Sequence, residues 1–245
     1  MSFEFYLGSD AHWLGVKSVP LFVSHRRLRT RKKFRAALAP WCLDSGAFTE
    51  LSTLGEWRTT PTEYLAAIER YENEVGLLQW AAPQDWMCEP WITKKTGRSV
   101  AEHQQKTITN FLTLRESTTT VIPALQGWTV DDYLRCWEMY DKAGVDLEAE
   151  NVVGLGSVCR RQSTSQAEYI VQRLQPLRLH GFGMKRQAIQ RFGRLLKSAD
   201  SIAWTWAGRL RPEPWCTKKT CGNCWHYAEK WRTETLSGPK TLFGA

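Results

Sequence analysis

Residues 121–157 read VIPALQGWTVDDYLRCWEMYDKAGVDLEAENVVGLGS, and this stretch decides the fold class. An apolar run at Val121–Leu125 leads through a short loop into a helical pattern at Val130–Ala143. A second apolar run follows at Val152–Leu155. Acidic residues stand in the first helical turn, where the helix dipole favours negative charge. The stretch therefore predicts a strand–helix–strand unit of a parallel sheet.

The same pattern repeats along most of the chain. Eight apolar runs have strand length: Phe5–Leu7, Leu21–Ser24, Trp41–Leu43, Leu77–Ala81, Val121–Leu125, Val152–Leu155, Leu177–Gly181 and Ser201–Ala203. Five segments between them have helical character: Pro61–Glu74, Ser99–Leu114, Val130–Ala143, Ser165–Leu174 and Arg186–Lys197. This alternation predicts an α/β fold, a compact (β/α)₈ TIM-like barrel over residues 1–207. A doubly wound open sheet is the main alternative.

The charge distribution points to a polyanionic partner. The 245 residues carry a net charge of +8, and His25–Arg35 reads HRRLRTRKKFR without an acid. A solvated helix face would explain such a run, but we favour contact with a nucleic-acid backbone. The predicted contact residues are Arg26, Arg27, Arg29, Arg31, Lys32 and Lys33. No apolar stretch approaches 18 residues and no secretory signal is visible, so we expect a cytoplasmic protein without membrane binding.

Cysteines cluster after residue 207, in a segment over 208–245 whose composition differs from that of the barrel. Cys216, Cys221 and Cys224 lie within nine residues, and His226 follows closely. Thiolate and imidazole ligands at such spacing are typical of a structural zinc site, whereas the alternative is a group of buried thiols. We predict that this C-terminal segment binds Zn²⁺.

Polar side chains follow several of the predicted strands, where a barrel enzyme carries its chemistry. Asp44, Asp85, Gln126 and Asp200 are the most informative. Cleavage of a base–sugar bond needs one carboxylate near the anomeric carbon and a second group that moves protons. A further amide or carboxyl reads the edge of the base. These four residues supply that set.

Seven short segments in order carry a resemblance to a known family: LDSGAF (43–48), WAAPQDWMCEP (80–90), LQGW (125–128), VGLGSVCRRQ (153–162), HGFGMK (180–185), SADSIAW (198–204) and the cysteine cluster. The chain resembles the tRNA-guanine transglycosylase superfamily, in particular its DNA-acting branch. That branch includes enzymes that install 7-deazaguanine bases in DNA and related base-excising DNA glycosylases.

The resemblance assigns expected roles to individual residues. It implies that Asp44 is the general acid/base and that Asp200 is the nucleophile at the anomeric carbon. Asp85 and Gln126 would hold the base edge, and the loop from Gly154 to Gly156 would lie along the base. Trp86 and Trp128 adjoin these residues and could sandwich a flipped base, with ordinary packing as the alternative.

Arg160 and Arg161 stand near the place where the tRNA enzymes carry an acid that pairs with an aminomethyl group on the base. Two arginines cannot pair with an ammonium but suit phosphate or a sugar hydroxyl, and Lys185 could also bind phosphate. We therefore expect a DNA glycosylase that flips out a modified base, with a role in defence against phages. The alternative is a DNA transglycosylase that exchanges guanine for a 7-deazaguanine. A tRNA-guanine transglycosylase and a non-catalytic nucleic-acid-binding relative are further alternatives.

Overall fold

A computed structural model of the chain describes residues 3–158, 165–217 and 219–238. Its centre is a sheet of eight parallel strands: β1 Glu4–Ser9, β2 Leu21–Ser24, β3 Trp41–Asp44, β4 Leu78–Ala81, β5 Ala124–Leu125, β6 Val153–Leu155, β7 Leu179–Gly181 and β8 Ser198–Ser201. The strand order is β4-β3-β2-β1-β8-β7-β6-β5, so the first and last strands are neighbours. This order is the one that a sheet curling into a barrel requires.

The two edge strands of this order meet just before β5 begins. Ala81 at the end of β4 forms a parallel bridge with Val121. The amide of Ala81 donates to the carbonyl of Thr120 at 2.9 Å, and the amide of Ile122 donates to the carbonyl of Ala81 at 3.1 Å. These bonds connect the open edges, so the curled sheet agrees with the predicted TIM-like barrel rather than with a doubly wound open sheet.

Ten α-helices flank the sheet in the described part of the chain: α1 His25–Leu28, α2 Ala47–Leu54, α3 Pro61–Glu74, α4 Pro90–Thr96, α5 Val100–Arg115, α6 Val130–Lys142, α7 Ser165–Arg173, α8 Arg186–Phe192, α9 Ala203–Leu210 and α10 Trp225–Leu236. All five predicted helices are present, and α3 has the predicted bounds. A 3-10 turn at Gly193–Leu195 follows α8 in place of its predicted last residues. The other five were not predicted, and most of them are short.

Three of the long helices begin with the same device. In α3 the hydroxyl of Thr60 accepts a hydrogen bond from the amide of Glu63, whose carboxylate accepts from the amide of Thr60. Helices α5 and α6 repeat this capping box at Ser99 and at Thr129. Such a box satisfies amides that the first turn leaves without partners, which explains why these helix starts were readable in the sequence.

The prediction of the last strand was wrong by three residues. We expected Ser201–Ala203, but β8 covers Ser198–Ser201 and α9 begins at Ala203. All four residues of β8 are buried, although three of them are polar. Ser198 and Asp200 bond to His180 inside the barrel, and Ser201 bonds to the start of α9, so this strand lacks the apolar pattern on which strand prediction depends.

Alternation along the strands separates two apolar clusters. Phe5 and Leu7 of β1 belong to the large core between sheet and helices, whereas Tyr6 belongs to a cluster with Phe22 and Trp80 inside the barrel. Successive side chains of a strand point to opposite faces, so the inner cluster fills the barrel below the ends of the strands. The polar residues at the strand ends lie directly above this inner cluster.

The chain after residue 207 packs on the large core. Cys221, Cys224 and Trp231 are members of that core, and the ring of Trp225 packs edge-on against Trp13 with ring centroids 4.8 Å apart. Helix α9 runs across the predicted boundary between residues 207 and 208, and the division of the chain stays a prediction. None of the helices described is long and apolar enough to cross a membrane.

We expect Thr60→Ala to destabilise the fold by about 1 kcal/mol, because it removes the hydroxyl that caps α3. The measurement is the free energy of unfolding from urea titration. Thr62→Ala is the matched control, since Thr62 is exposed in the first turn of the same helix. Equal losses in the two variants would contradict a capping role for Thr60.

Candidate active site

A cavity of about 420 Å³ opens at the carboxyl ends of the strands. Five of the predicted catalytic and base-binding residues line it together: Asp44, Asp85, Gln126, Gly156 and Asp200. They come from five different strands or the loops that follow them, so only closure of the sheet brings them together. The aromatic side chains of Phe22, Phe48 and Phe182 form apolar walls. The cavity thus combines apolar walls with a few convergent polar groups, as ligand sites do.

Asp44 ends β3 and is partly buried at the rim. Burial raises the pKa of its carboxyl, and the charge of Asp200 acts in the same direction. The hydroxyl of Ser24 and the amide of Gly46 oppose this shift by hydrogen bonding to the carboxylate. Arg26 opposes it through its charge. A raised pKa makes the protonated carboxyl more accessible than it is in a free aspartate, which suits a general acid/base.

Asp85 lies deeper, in the loop after β4, and is 7% exposed. Burial raises the pKa of its carboxyl to about 7, with the charge of Asp44 as the second cause. The side-chain amide of Gln126 forms a short hydrogen bond to Oδ2 of Asp85. The two predicted base-binding residues therefore contact each other directly at the bottom of the cavity.

The contact continues into a chain of four side chains. Ser157 Oγ lies 2.8 Å from Gln126 Oε1 and 2.9 Å from Glu89 Oε2. Ser157 Oγ also accepts from the amide of Cys88 at 2.8 Å. A hydroxyl has one proton and can donate to only one of the two oxygens. The chain thus links Asp85 to Glu89 through Gln126 and Ser157.

Asp200 is 4% exposed and lies in β8. Its Oδ1 accepts from the amide of Gly183 at 2.8 Å and lies 3.3 Å from His180 Nε2. The carboxylate is thus held from one side, by His180 of β7 and by the loop that follows β7. This arrangement fixes the orientation of a group that must meet a reacting carbon.

The predicted glycine loop is close-packed rather than open. A Cβ on Gly154 would lie 2.6 Å from the ring of Phe182, and a Cβ on Gly156 would lie 2.0 Å from Gln126 Nε2. Gly156 lines the cavity, whereas Gly154 supports its wall through Phe182. A side chain at either position would displace a residue that shapes the cavity.

Two predicted aromatic residues do not line the cavity. Trp86 is buried against His103, with ring centroids 5.3 Å apart. The backbone amide of Trp128 donates to Asp132 at the start of α6. Packing, which was the alternative interpretation, describes the ring of Trp86, and contact of either residue with a base stays a prediction. Phe22, Phe48 and Phe182 are the aromatic residues at the cavity, and the sequence analysis did not select them.

The basic segment begins at the cavity and leads away from it. Arg26 and Arg27 line the cavity, whereas Arg29 lines a neighbouring cavity of about 370 Å³ together with Arg58 and Arg70. Of the other predicted contact residues, Lys32, Lys33 and Lys185 are exposed and Arg31 is partly exposed. Arg160 and Arg161 lie outside the described residues. The basic segment, which is His25–Arg35, thus forms a charged surface that begins at the entrance of the cavity.

The predicted zinc ligands do not assemble. Cys216, Cys224 and His226 line a surface cavity of about 710 Å³, whereas Cys221 is buried and its sulfur accepts from the amide of Glu213 at 3.3 Å. Within residues 3–158, 165–217 and 219–238, no three His, Cys, Asp or Glu side chains are placed to hold a metal ion. The donor set in this arrangement does not fit zinc, and the zinc site stays a prediction.

Three further residues belong to the site although the sequence analysis gave them no role there. Ser157 and Glu89 extend the Asp85–Gln126 contact, and His180 contacts Asp200. Ser157 has a φ of +55°, a conformation that is uncommon for residues other than glycine. All three lie within segments that carry the family resemblance, but those segments gave them no role, because their contacts depend on loops of different strands.

A curled parallel sheet with four carboxylates around a cavity at the strand ends is the arrangement of a barrel enzyme. Residues 1–243 match the family described as DpdA, DeoxyPurine in DNA protein A, and the chain belongs to this family. The family consists of DNA 7-deazaguanine transglycosylases, relatives of the tRNA-guanine transglycosylases. No curated protein matches the chain.

The enzyme is therefore an N-glycosidic bond transferase that acts on DNA. This confirms the predicted superfamily and the DNA partner. It favours base exchange, our alternative, over the glycosylase that we expected first. The family match lends no support to a role in defence against phages.

We expect Asp85→Asn to stabilise the protein more at pH 8 than at pH 5. The pKa of Asp85 is raised to about 7, so the folded state keeps a proton that the unfolded state releases from about pH 4 upward. Stability conferred by this proton is lost as the pH rises through that window, and the neutral amide avoids the loss.

The measurement is the melting temperature of wild type and variant between pH 4.5 and 8. Asp141→Asn, at an exposed position in α6, is the control. Parallel curves for wild type and Asp85→Asn would show that Asp85 ionises without a cost to folding.

Proposed function

We propose that the enzyme exchanges a guanine base of DNA for a free 7-deazaguanine base. The observation that carries the proposal is the meeting of Asp44, Asp85, Gln126 and Asp200 around one cavity in a chain of this family. Together they supply a nucleophile, a proton carrier and two groups that can read a base edge.

In the first step Asp200 acts as the nucleophile. Its free carboxylate oxygen, Oδ2, attacks C1′ of the deoxyribose while the bond from C1′ to the guanine N9 breaks. The electron pair of that bond leaves with the base, and the carboxyl of Asp44 gives the base a proton. The product is a glycosyl ester on Asp200 together with free guanine and the Asp44 carboxylate.

The second step repeats the chemistry in reverse with a different base. A 7-deazaguanine replaces guanine in the cavity and gives its N9 proton to the Asp44 carboxylate. Its nitrogen then attacks C1′, and the bond from C1′ to Asp200 Oδ2 breaks. The cycle restores both carboxyl groups, so exchange needs no water and no other reactant.

Asp85 and Gln126 suit the Watson–Crick edge that both bases share. This edge presents N–H donors beside the O6 acceptor. Asp85 offers carboxylate oxygens as acceptors, and Gln126 keeps a second amide hydrogen when its first bonds to Asp85. An edge common to the two bases explains why one pocket would accept both the leaving and the entering base.

The apolar walls support exchange rather than hydrolysis. The ester intermediate must persist while one base leaves and the other enters, so water must be kept from C1′. Phe22, Phe48 and Phe182 surround the carboxylates with surfaces that offer water no hydrogen bonds. A base that stacks on these rings competes well for the same space.

The DNA backbone would run over the basic segment. Arg26 and Arg27 at the cavity could bind the phosphates beside the flipped nucleotide, and Arg29 could bind the next ones. Arg31, Lys32, Lys33 and Lys185 extend this positive surface. We propose the same role for Arg160 and Arg161, for which the described residues provide no geometry.

We expect Asp200→Ala to lower base exchange on the order of 10³-fold or more, because it removes the carboxylate that forms the glycosyl ester. The assay follows release of labelled guanine from DNA with and without an added 7-deazaguanine, by mass spectrometry. Asp141→Ala serves as the control for a surface carboxylate.

Three outcomes separate the alternatives. Guanine release that requires the added base and leaves no alkali-labile sites supports exchange. Release without it, with alkali-labile sites, would contradict exchange and restore the glycosylase. Incorporation into tRNA but not into DNA would instead point to the tRNA enzymes.

We expect the double variant Arg29→Ala, Arg31→Ala to bind DNA with a weaker dependence on salt. The slope of log K against log salt concentration is negative, and each lost phosphate contact reduces its magnitude by about 0.9. Fluorescence anisotropy between 50 and 300 mM salt, roughly the range in which such slopes are resolved, measures it. Arg194→Ala, just before β8 at the opposite end of the barrel, is the control. An unchanged slope would remove these arginines from the DNA path.

A further inference from the structure

His180 is a fully buried imidazole inside the barrel. It lies in β7, and its ring is surrounded by four aromatic residues at centroid distances between 4.6 and 6.1 Å: Tyr6, Phe22, Trp80 and Phe182. An imidazole in such surroundings is costly unless both of its nitrogens have hydrogen-bond partners. The partners of His180 therefore decide what this residue does.

Both nitrogens of His180 meet side chains of the adjacent strand β8. Nδ1 lies 2.9 Å from Ser198 Oγ, and Nε2 lies 3.3 Å from Asp200 Oδ1. His180 and Ser198 are register partners in the parallel pair, and Asp200 follows on the same face of β8. The register thus places one imidazole against both residues.

The partners also determine the tautomer. An ionised Asp200 can only accept, so Nε2 of His180 carries the hydrogen. Ser198 can then donate its hydroxyl proton to Nδ1, which leaves the imidazole neutral with both nitrogens satisfied. Ser198 acts on Asp200 only through this ring.

The bond from His180 goes to the oxygen that Gly183 also contacts. The Gly183 amide donates to Asp200 Oδ1 at 2.8 Å. Two donors on Oδ1 leave Oδ2 to face the reacting carbon, and they stabilise negative charge on the carboxylate. In a glycosyl ester on Oδ2, the same Oδ1 is a carbonyl oxygen and a poorer acceptor. The bonds are therefore strongest when Asp200 is free and weakest in the intermediate.

We propose that His180, oriented by Ser198, is a positioning residue that holds Asp200 and promotes its departure from the glycosyl–enzyme intermediate. The proposal rests on the base exchange argued above, in which Asp200 is the nucleophile. When the C1′–Oδ2 bond breaks, its electron pair returns to the carboxylate, and the incoming base supplies the new bond to C1′. Charge that grows on Asp200 strengthens the hydrogen bond from Nε2, which lowers the barrier of this step.

The test is kinetics and adduct analysis of His180→Leu, which removes the donor and keeps an apolar side chain. We expect kcat for exchange to fall on the order of 10²-fold without a rise in KM, the size seen when one donor to a developing charge is lost. Because breakdown of the ester slows most, a larger fraction of the protein should run as a covalent protein–DNA adduct on a denaturing gel.

Three further variants separate positioning from packing. His180→Gln retains a side-chain amide that can reach Asp200, so it should recover part of kcat. Ser198→Ala leaves His180 in place but removes the partner of Nδ1, and it should raise the adduct fraction to a smaller extent. Tyr6→Phe is the control, since Tyr6 packs on the ring while its hydroxyl bonds to Glu4.

An unchanged adduct fraction in both His180→Leu and Ser198→Ala would overturn the proposal, as would an effect of Tyr6→Phe equal to theirs. If His180→Leu shows no melting transition and is therefore unfolded, the adduct fraction of Ser198→Ala tests the proposal instead. If water instead of a 7-deazaguanine hydrolyses the wild-type intermediate, the proposal of base exchange is wrong. The adduct measurement still tests the role of His180 in that case. A wild type that neither releases a base nor forms an adduct would refute both proposals.

Discussion

The site depends on one electrostatic constraint, which is that several carboxylates must share a small, largely apolar cavity. Asp44 and Asp85 have raised pKa values because burial disfavours their charged forms, and each is affected by another carboxylate of the site. Like charges in such a space repel one another strongly. The surrounding protein must therefore supply hydrogen bonds that stabilise charge where it is needed and protons where it is not.

The barrel meets this constraint with a different set of partners at each carboxylate. Asp44 has Ser24, the Gly46 amide and Arg26 near the solvent-exposed rim. Asp85 has Gln126, which extends through Ser157 to Glu89. A group at the rim can exchange protons with a substrate, whereas a group deeper in the cavity is held in place by its hydrogen-bonded neighbours. These surroundings divide the roles of residues of the same type.

Asp200 differs from the other two because its partners come from the adjacent strand and the loop after it. Gly183 and His180 both reach Oδ1, and the register of β7 with β8 sets their positions. The aromatic cluster around His180 in turn fixes the ring. The apolar interior of the barrel thus helps to set the direction in which this carboxylate points.

Local sequence determined the parts of this enzyme whose causes are local. Capping residues and helical periodicity located α3, α5 and α6, and apolar runs located most strands, since these signals act within a few residues of the chain. Strand ends marked Asp44, Asp85 and Gln126, and the family resemblance of residues 198–204 marked Asp200. The polar strand β8, the network through Glu89 and the bond from His180 were decided only by the tertiary structure. They depend on the closure of the sheet and on its register, which bring together side chains far apart in sequence.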